Sequence, residues 1–148
     1  MKVSDVMTTS PIECSADDTL RYVAKKMVMR RCGSIPVIDD NNKLIGIVTI
    51  RDTMMPLYPN FGEYVHDSVH GRDFEEMEEN YKRVLCMKVK EVMTPDPLTV
   101  SKDESILKAA SYMGLRNLRR IPVTENGKLV GMVSIGDIAR GLYIHQGI

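Results

Sequence analysis

The chain has 148 residues, 43% hydrophobic and 27% charged, a composition expected of one globular domain with a sizeable core rather than two independent ones. Its twenty basic and twenty acidic side chains cancel, which removes the net field behind non-specific affinity for nucleic acid or an anionic membrane and leaves only a locally basic groove as a route to either. No apolar run approaches the roughly 18 residues of a membrane span, and Met1-Lys2-Val3-Ser4-Asp5 lacks the charged-then-apolar plan of a signal peptide, so the expected compartment is the cytoplasm.

Pro11-Ile12-Glu13-Cys14 reads as a short extended stretch, and Asp17-Asp18-Thr19 then offers capping side chains for a helix running to about Arg30. The helix places Leu20, Val23, Ala24, Met27 and Val28 on one face. Ser34 to Ile38 and Leu44 to Thr49 are apolar strands around an Asp39-Asp40-Asn41-Asn42 turn, which predicts a hairpin. Asp52 stands near the start of a further helix that Pro56 and Pro59 close.

A segment of different character follows, from Pro56 to about Lys88. Leu57-Tyr58-Pro59-Asn60-Phe61-Gly62 reads as a loop. Phe74 to Leu85 reads as an acidic amphipathic helix with Phe74, Met77, Tyr81 and Val84 or Leu85 as its stripe. That stripe packs either on its own chain, on a twin subunit or on an external partner. His66 and His70, with Asp67 and Asp73 nearby, have the i, i+4 spacing of metal ligands if that stretch is helical, but no His-Glu-x-x-His pattern accompanies them, and no metal is expected. His145 reads as an exposed tail residue. Cys14, Cys32 and Cys86 are widely separated and suggest neither a disulfide framework nor a zinc site.

The second half repeats the order of the first: Pro97 to Val100 extended, a helix from about Glu104 to Leu115 with the stripe Ile106, Ala109, Ala110 and Met113, strands Arg120 to Thr124 and Lys128 to Ser134, and a helix from Asp137. The two halves align residue by residue. Val3-Ser4-Asp5-Val6-Met7-Thr8 matches Val89-Lys90-Glu91-Val92-Met93-Thr94, and Ile35-Pro36-Val37 matches Ile121-Pro122-Val123, at a constant spacing of about 86 residues. One residue drops out in the hairpin turn, and the match resumes through Leu44 to Asp52 against Leu129 to Asp137. The expected fold is mixed α/β: two β-α-β-β-α repeats, 1–55 and 89–148, with a helical insertion at 56–88. Neither repeat is large enough to bury its sheet alone, so the two are expected to share one interface.

A Val-Met-Thr segment, a helix, an Ile-Pro-Val strand and a Gly-apolar-apolar-Ser/Thr-x-x-Asp ending, all occurring twice, resemble a tandem pair of cystathionine β-synthase (CBS) domains, the regulatory Bateman module. The likeness covers roughly Val3 to Met54 and Val89 to Leu142; the insertion departs from a minimal pair. The resemblance implies packing about a pseudo-twofold axis, two clefts for adenosyl ligands, further association into a homodimer, and regulation without catalysis. The ligand class it implies is AMP, ADP or ATP, extending to S-adenosylmethionine and NAD, with an effector protein to respond and no required cofactor, membrane or nucleic acid.

In the first cleft so implied, Asp137 accepts both hydroxyls of a ribose, since a carboxylate is acceptor-only. Ser134 and the adjacent helix start face a phosphate. Arg119 and Arg120 occupy the place where family members often carry a basic residue against that phosphate. The adenine would lie against Thr9, Ser10, Pro11 and Ile12 and the edge formed by Cys32, Gly33 and Ser34, with Gly33 allowing close approach of a flat base. The mirror cleft combines Thr49 and Asp52 with Pro95, Asp96, Leu98 and Leu118. There the equivalents of Arg119 and Arg120 are Gly33 and Ser34, so the Asp137 cleft is expected to dominate. Ser-x-x-Asp is equally an ordinary helix-start pattern, and Arg119-Arg120 equally a solvated loop.

Overall fold

A computed structural model describes residues 1–58 and 74–147. Repeat one runs through β1 (Thr8–Thr9), β2 (Cys14–Ser15), α1 (Leu20–Arg30), β3 (Ser34–Ile38) and β4 (Leu44–Thr49). Of the three candidate caps, Thr19 serves α1, its hydroxyl accepting the Tyr22 amide at 3.2 Å. Asp18 closes a preceding turn, accepting the Ser15 amide at 2.8 Å. Leu20, Val23, Ala24 and Met27 are buried, whereas Val28 is 68% exposed, so the apolar face is one position narrower than predicted. Val28 lies about 80° around the helix from Leu20 and falls off the edge of the buried face.

The helix expected at Asp52 is instead two short 3₁₀ turns, Arg51–Thr53 and Met55–Leu57. Pro56 supplies the reason, because it has no amide to donate to residue 52 and so cannot extend an α-helical ladder. Pro59 lies outside the described residues, as do His66, Asp67, His70 and Asp73. Beyond them, α2 (Phe74–Val84) leads into repeat two: β5 (Thr94–Pro95), α3 (Ile106–Leu115), β6 (Arg120–Glu125), β7 (Lys128–Ser134) and α4 (Ile135–His145). The extended Pro97 to Val100 segment reduces to one bridge, Val100 with Val123. The helix predicted from Asp137 starts two residues earlier, at Ile135, behind the cap Ser134.

The halves are joined by exchange. β1 of repeat one pairs antiparallel with β7 of repeat two, Thr8 opposite Met132 and Thr9 opposite Gly131. β5 of repeat two pairs with β4 of repeat one, Gly46 opposite Pro95 and Ile47 opposite Thr94. The sheets are therefore β2-β3-β4-β5 and β1-β7-β6, each built from both repeats. The leading segments follow the same rule: Val3 N–H donates to Glu104 at 2.8 Å, and Val89 N–H donates to Asp18 at 2.9 Å. Val3 is fully buried in the core of repeat two and Val89 in that of repeat one. At the other end the hairpin turns meet, Leu44 N–H donating to Gly127 and Leu129 N–H to Asn42. Neither half can separate without exposing the other's core.

The insertion helix is divided in its packing. Val84 is buried in the core of repeat one and Tyr81 and Met77 are half-buried, while Phe74 is 47% exposed. The stripe thus docks on its own chain at the C-terminal end and releases at the other. Acidic Glu75 and Glu76 in its first turn and basic Lys82 and Arg83 in its last complement the helix dipole.

Of the cysteines, Cys14 is buried, Cys32 intermediate and Cys86 exposed. Burial, reinforced by the Asp18 charge, pushes the Cys14 thiol from 9.0 up to about 12. Only a thiolate reacts readily with disulfide reagents. Titration with such a reagent at pH 8 should modify Cys86 in the native protein and reach Cys14 only after denaturation. Because the unfolded chain releases the Cys14 proton first, this group's stabilising effect is complete below pH 9 and falls as pH rises toward 12. Fast native labelling of Cys14 in a Cys32→Ser, Cys86→Ser background would contradict its burial.

Candidate functional site

Each repeat ends its second long strand in the same device. Thr49 N–H donates to Asp52 Oδ2 at 2.8 Å, and Asp52 N–H donates back to the Thr49 hydroxyl at 3.2 Å. Ser134 N–H donates to Asp137 Oδ2 at 2.9 Å, and Asp137 N–H returns to the Ser134 hydroxyl at 3.0 Å. These are reciprocal capping boxes, so the helix-start reading of Ser-x-x-Asp holds at Ser134. The device occupies one carboxylate oxygen and leaves the other available to a ligand, so capping and binding are compatible.

The two carboxylates differ in what holds the second oxygen. Asp137 Oδ1 accepts a charged hydrogen bond from Arg140 at 2.6 Å. Met55 stands three residues after Asp52, where Arg140 stands after Asp137, and no hydrogen bond reaches Asp52 Oδ1 among the described residues.

Between the repeats lies a cavity of about 930 Å³, within the size range of small-molecule sites. Repeat one contributes Gly33, Ser34, Ile47, Thr49 and Arg51. The lead-in of repeat two contributes Thr94, Asp96, Pro97 and Leu98, and the loop entering β6 contributes Arg116 to Arg120. The strand exchange creates this meeting, since β5 lays Thr94 against Ile47 of β4. Two loop residues on the wall, Asp96 and Asn117, hold left-handed backbone with φ of 46° and 54°. Asx side chains tolerate that conformation best. Their counterparts in repeat one, Ser10 and Arg31, are left-handed as well.

Thr49, Asp96, Leu98, Leu118, Gly33, Ser34, Arg119 and Arg120 therefore share one cavity. That grouping departs from the sequence expectation, which set both arginines, Gly33 and Ser34 in the Asp137 cleft and left the Thr49 cleft without a phosphate partner. The backbone explains the difference. Arg120 does pair with Ser134 across the hairpin, and Ile135 N–H donates to Arg119, yet the loop that carries both arginines also faces repeat one across the pseudo-symmetric interface. Asp52 stands beside the lining residue Arg51.

Pro95, paired with Gly46, and Thr9, paired with Gly131, lie in the exchanged strands, and Ser10 follows Thr9. Pro11 and Ile12 are half-buried, Ile12 against the core of repeat one. None of these five lines the cavity, nor do Asp52, Ser134 and Asp137. Among the described residues, a Cβ added at Gly33 would meet no atom within 4 Å, so the cavity is open there. Sequence reasoning passed over Arg51 and Arg116. The first sits inside the Thr49-x-x-Asp52 pattern and was findable. The second ends a helix, where a basic residue has a sufficient local reason.

Among the described residues no helix is long and apolar enough to cross a membrane. The CBS domain family model matches residues 3–55 and 89–144. The Bacillus subtilis (strain 168) protein YlbB is 33% identical over 139 residues, 93% of this chain and 80% of its own length. Among solved structures, CBSX2 in complex with AMP superposes with a TM-score of 0.75 at 26% identity, covering 98% of both chains. A putative acetoin utilization protein (AcuB) from Vibrio cholerae gives 0.75 at 25% identity, covering 99% of this chain and 96% of its own. With both repeats matched by the family model and the whole chain superposing on solved relatives, this chain belongs to the CBS domain family as a tandem pair.

Proposed function

We propose that the chain is a non-catalytic regulatory module that binds an adenosyl nucleotide between its repeats and acts as an energy or metabolite sensor. The observation that carries this reading is the 930 Å³ cavity lined from both repeats, with guanidinium groups, the hydroxyl residues Ser34, Thr49 and Thr94 and the apolar surfaces of Ile47, Pro97 and Leu98 on one wall system. Apolar side chains and a proline suit a flat base, and the arginines suit a phosphate. The AMP complex of CBSX2, similar along its whole length, supports AMP, ADP or ATP as the class.

A second, weaker site is assigned to Ser134 and Asp137 with Thr9, Ser10, Pro11 and Ile12. Because contacts to one ligand come from both halves, occupancy biases their relative tilt. The bias equals the difference in affinity between the two arrangements. A homodimer and an effector protein complete the proposed assembly.

The test is a thermal shift with AMP, ADP, ATP, NAD and S-adenosylmethionine. A ligand at 100 times its dissociation constant adds about 2.7 kcal/mol, or about 5–10 °C for a chain of this size. The second reading, favoured by exposed Phe74 in the first turn of the acidic α2, is a protein-interaction module with vestigial clefts. No shift with any nucleotide would replace the first reading by the second.

A further inference from the structure

We propose that the insertion carries a ligand site of its own, a cavity beside α2 that takes a small apolar monocarboxylate. The cavity has a volume of about 400 Å³ and is lined by Pro56, Leu57, Asn80, Arg83, Val84 and Met87, which places it within the size range of small-molecule sites. All six residues belong to the 56–88 insertion. None of them lines the cavity between the repeats, so this site is separate from the nucleotide reading and does not depend on it.

The insertion forms this cavity by folding back on itself. Pro56 and Leu57 belong to the 3₁₀ turn Met55–Leu57, against which α2 packs. Asn80, Arg83 and Val84 stand at i, i+3 and i+4 on α2 and so share one of its faces. Met87 N–H donates to the Val84 carbonyl at 3.0 Å, closing the turn that follows. Val84 is buried in the core of repeat one, with Leu57 and Met87 packed against the same core, so the apolar part of the wall is held in place.

The polar groups on the wall set the ligand class. Arg83 Nη2 donates to Asn80 Oδ1 at 3.0 Å. A guanidinium has no acceptor, so Asn80 must turn its oxygen toward Arg83 and keep its amide hydrogens for another partner. Among the described residues, neither those hydrogens nor the remaining guanidinium donors of Arg83 bond to a protein group. The facing wall adds nothing polar from its backbone amides, because Pro56 has none and Leu57 N–H is bonded to the Met54 carbonyl. Donors at one end and apolar side chains at the other fit an acceptor-only head with an apolar tail, and a guanidinium fork matches a carboxylate. Arg83 is the one charged residue on the wall, and Glu79 stands one helical turn before it. A monoanion is therefore balanced, whereas a phosphate monoester, at about −1.5 to −2, would leave negative charge against apolar surface. The dipole of α2 gives a local reason for a positive charge in its last turn, but Lys82 answers that without lining the cavity.

NMR titration of the full chain with hexanoate, 1-hexanol, hexylamine and inorganic phosphate tests this, read on the methyl signals of Leu57, Val84 and Met87. Hexanoate is expected to shift all three and to saturate, binding at least about 10-fold more tightly than hexanol, the worth of a charge-assisted hydrogen bond. Hexylamine and phosphate should leave the three signals in place. Arg83→Gln, at an exposed position that leaves folding intact, should reduce hexanoate to the affinity of hexanol. Arg83→Lys should keep only part of the advantage, because the charge remains and the fork is lost. No saturable shift with hexanoate overturns the site, and so do shifts confined to Ile47, Thr49 and Leu98 of the cavity between the repeats. Hexanol binding as tightly as hexanoate, or hexanoate binding unchanged in Arg83→Gln, overturns the carboxylate assignment. Displacement of hexanoate by phosphate overturns the apolar monocarboxylate class.

Discussion

Gly131→Ala is expected to destabilise the protein by about 3 kcal/mol, Gly46→Ala by about 1 kcal/mol, and Gly33→Ala by less than about 0.5 kcal/mol. All three replace a glycine in or beside a strand by the smallest side chain, so β-propensity alone gives no such ranking. Contact geometry does. A Cβ at Gly131 would stand 2.7 Å from the Thr8 carbonyl and 3.0 Å from Met7 Sδ. The carbonyl is backbone of β1, held in its pairing with β7, and it cannot yield without opening that pair. At the equivalent Gly46 the 2.7 Å contact is Met93 Sδ, the end of a flexible side chain, and the backbone carbonyl of Thr94 is at 3.0 Å. The methionine can move aside at modest cost. A Cβ at Gly33 would meet no atom of the described residues beyond its chain neighbours within 4 Å.

Displacing β1 has a wider consequence, because the segment that carries it also buries Val3 in the core of repeat two. Urea denaturation of the three variants gives the ranking directly. For Gly131→Ala a fall in melting temperature of about 6–12 °C is expected. Equal losses at Gly131 and Gly46 would mean that the exchanged strands yield as easily as the methionine.

Much of the scaffold was legible because it was written twice in strong patterns. β3, β4 and β7 have the predicted bounds, and α1 begins and ends where its cap and apolar period placed it. Each is an uninterrupted apolar run or a clear 3.6-residue period, the two signals that local sequence carries best. The exchange of β1 and β5 was not legible, since Thr8–Thr9 and Thr94–Pro95 are two-residue strands with exposed side chains and no period. The 3₁₀ turns after Thr49 were obscured by a genuine capping box, Thr49 with Asp52, whose helical promise Pro56 cancels.

The site was half legible for a related reason. Comparing repeats assigns each residue a place within its own half, and within that half Arg120 does stand opposite Ser134. Which cavity the connecting loop faces depends on how the halves approach, a through-space relation absent from any alignment of one half with the other. Arg140 escaped notice because its effect lies in a difference between repeats, Arg140 against Met55, outside the shared motif.

That difference sets the expected ranking of the two clefts. Calorimetry with ATP should find the tighter event lost or weakened by about 10- to 100-fold in Asp52→Ala, the worth of a charged hydrogen bond of about 1.5–3 kcal/mol. It should survive in Asp137→Ala. The ranking reverses the one drawn from the repeats alone, for two reasons. Arg119 and Arg120 line the cavity that contains Thr49 and Arg51. In addition, Asp137 Oδ1 is already bonded to Arg140 at 2.6 Å, so a ribose hydroxyl entering there competes with a guanidinium. Arg140 is itself largely exposed, and solvent screening keeps that lock weak enough to open. Arg140→Ala should therefore strengthen the weaker event several-fold while leaving the tighter one unchanged. Each aspartate also caps a turn, and its removal costs about 1 kcal/mol of stability. Melting temperatures of both variants separate that loss from the binding effect, and similar losses of stability with opposite effects on the tight event are the expected signature. A tight event that disappears with Asp137 and persists without Asp52 would instead give the dominant role to the Arg140-guarded carboxylate and leave the arginine-lined cavity without its ribose anchor.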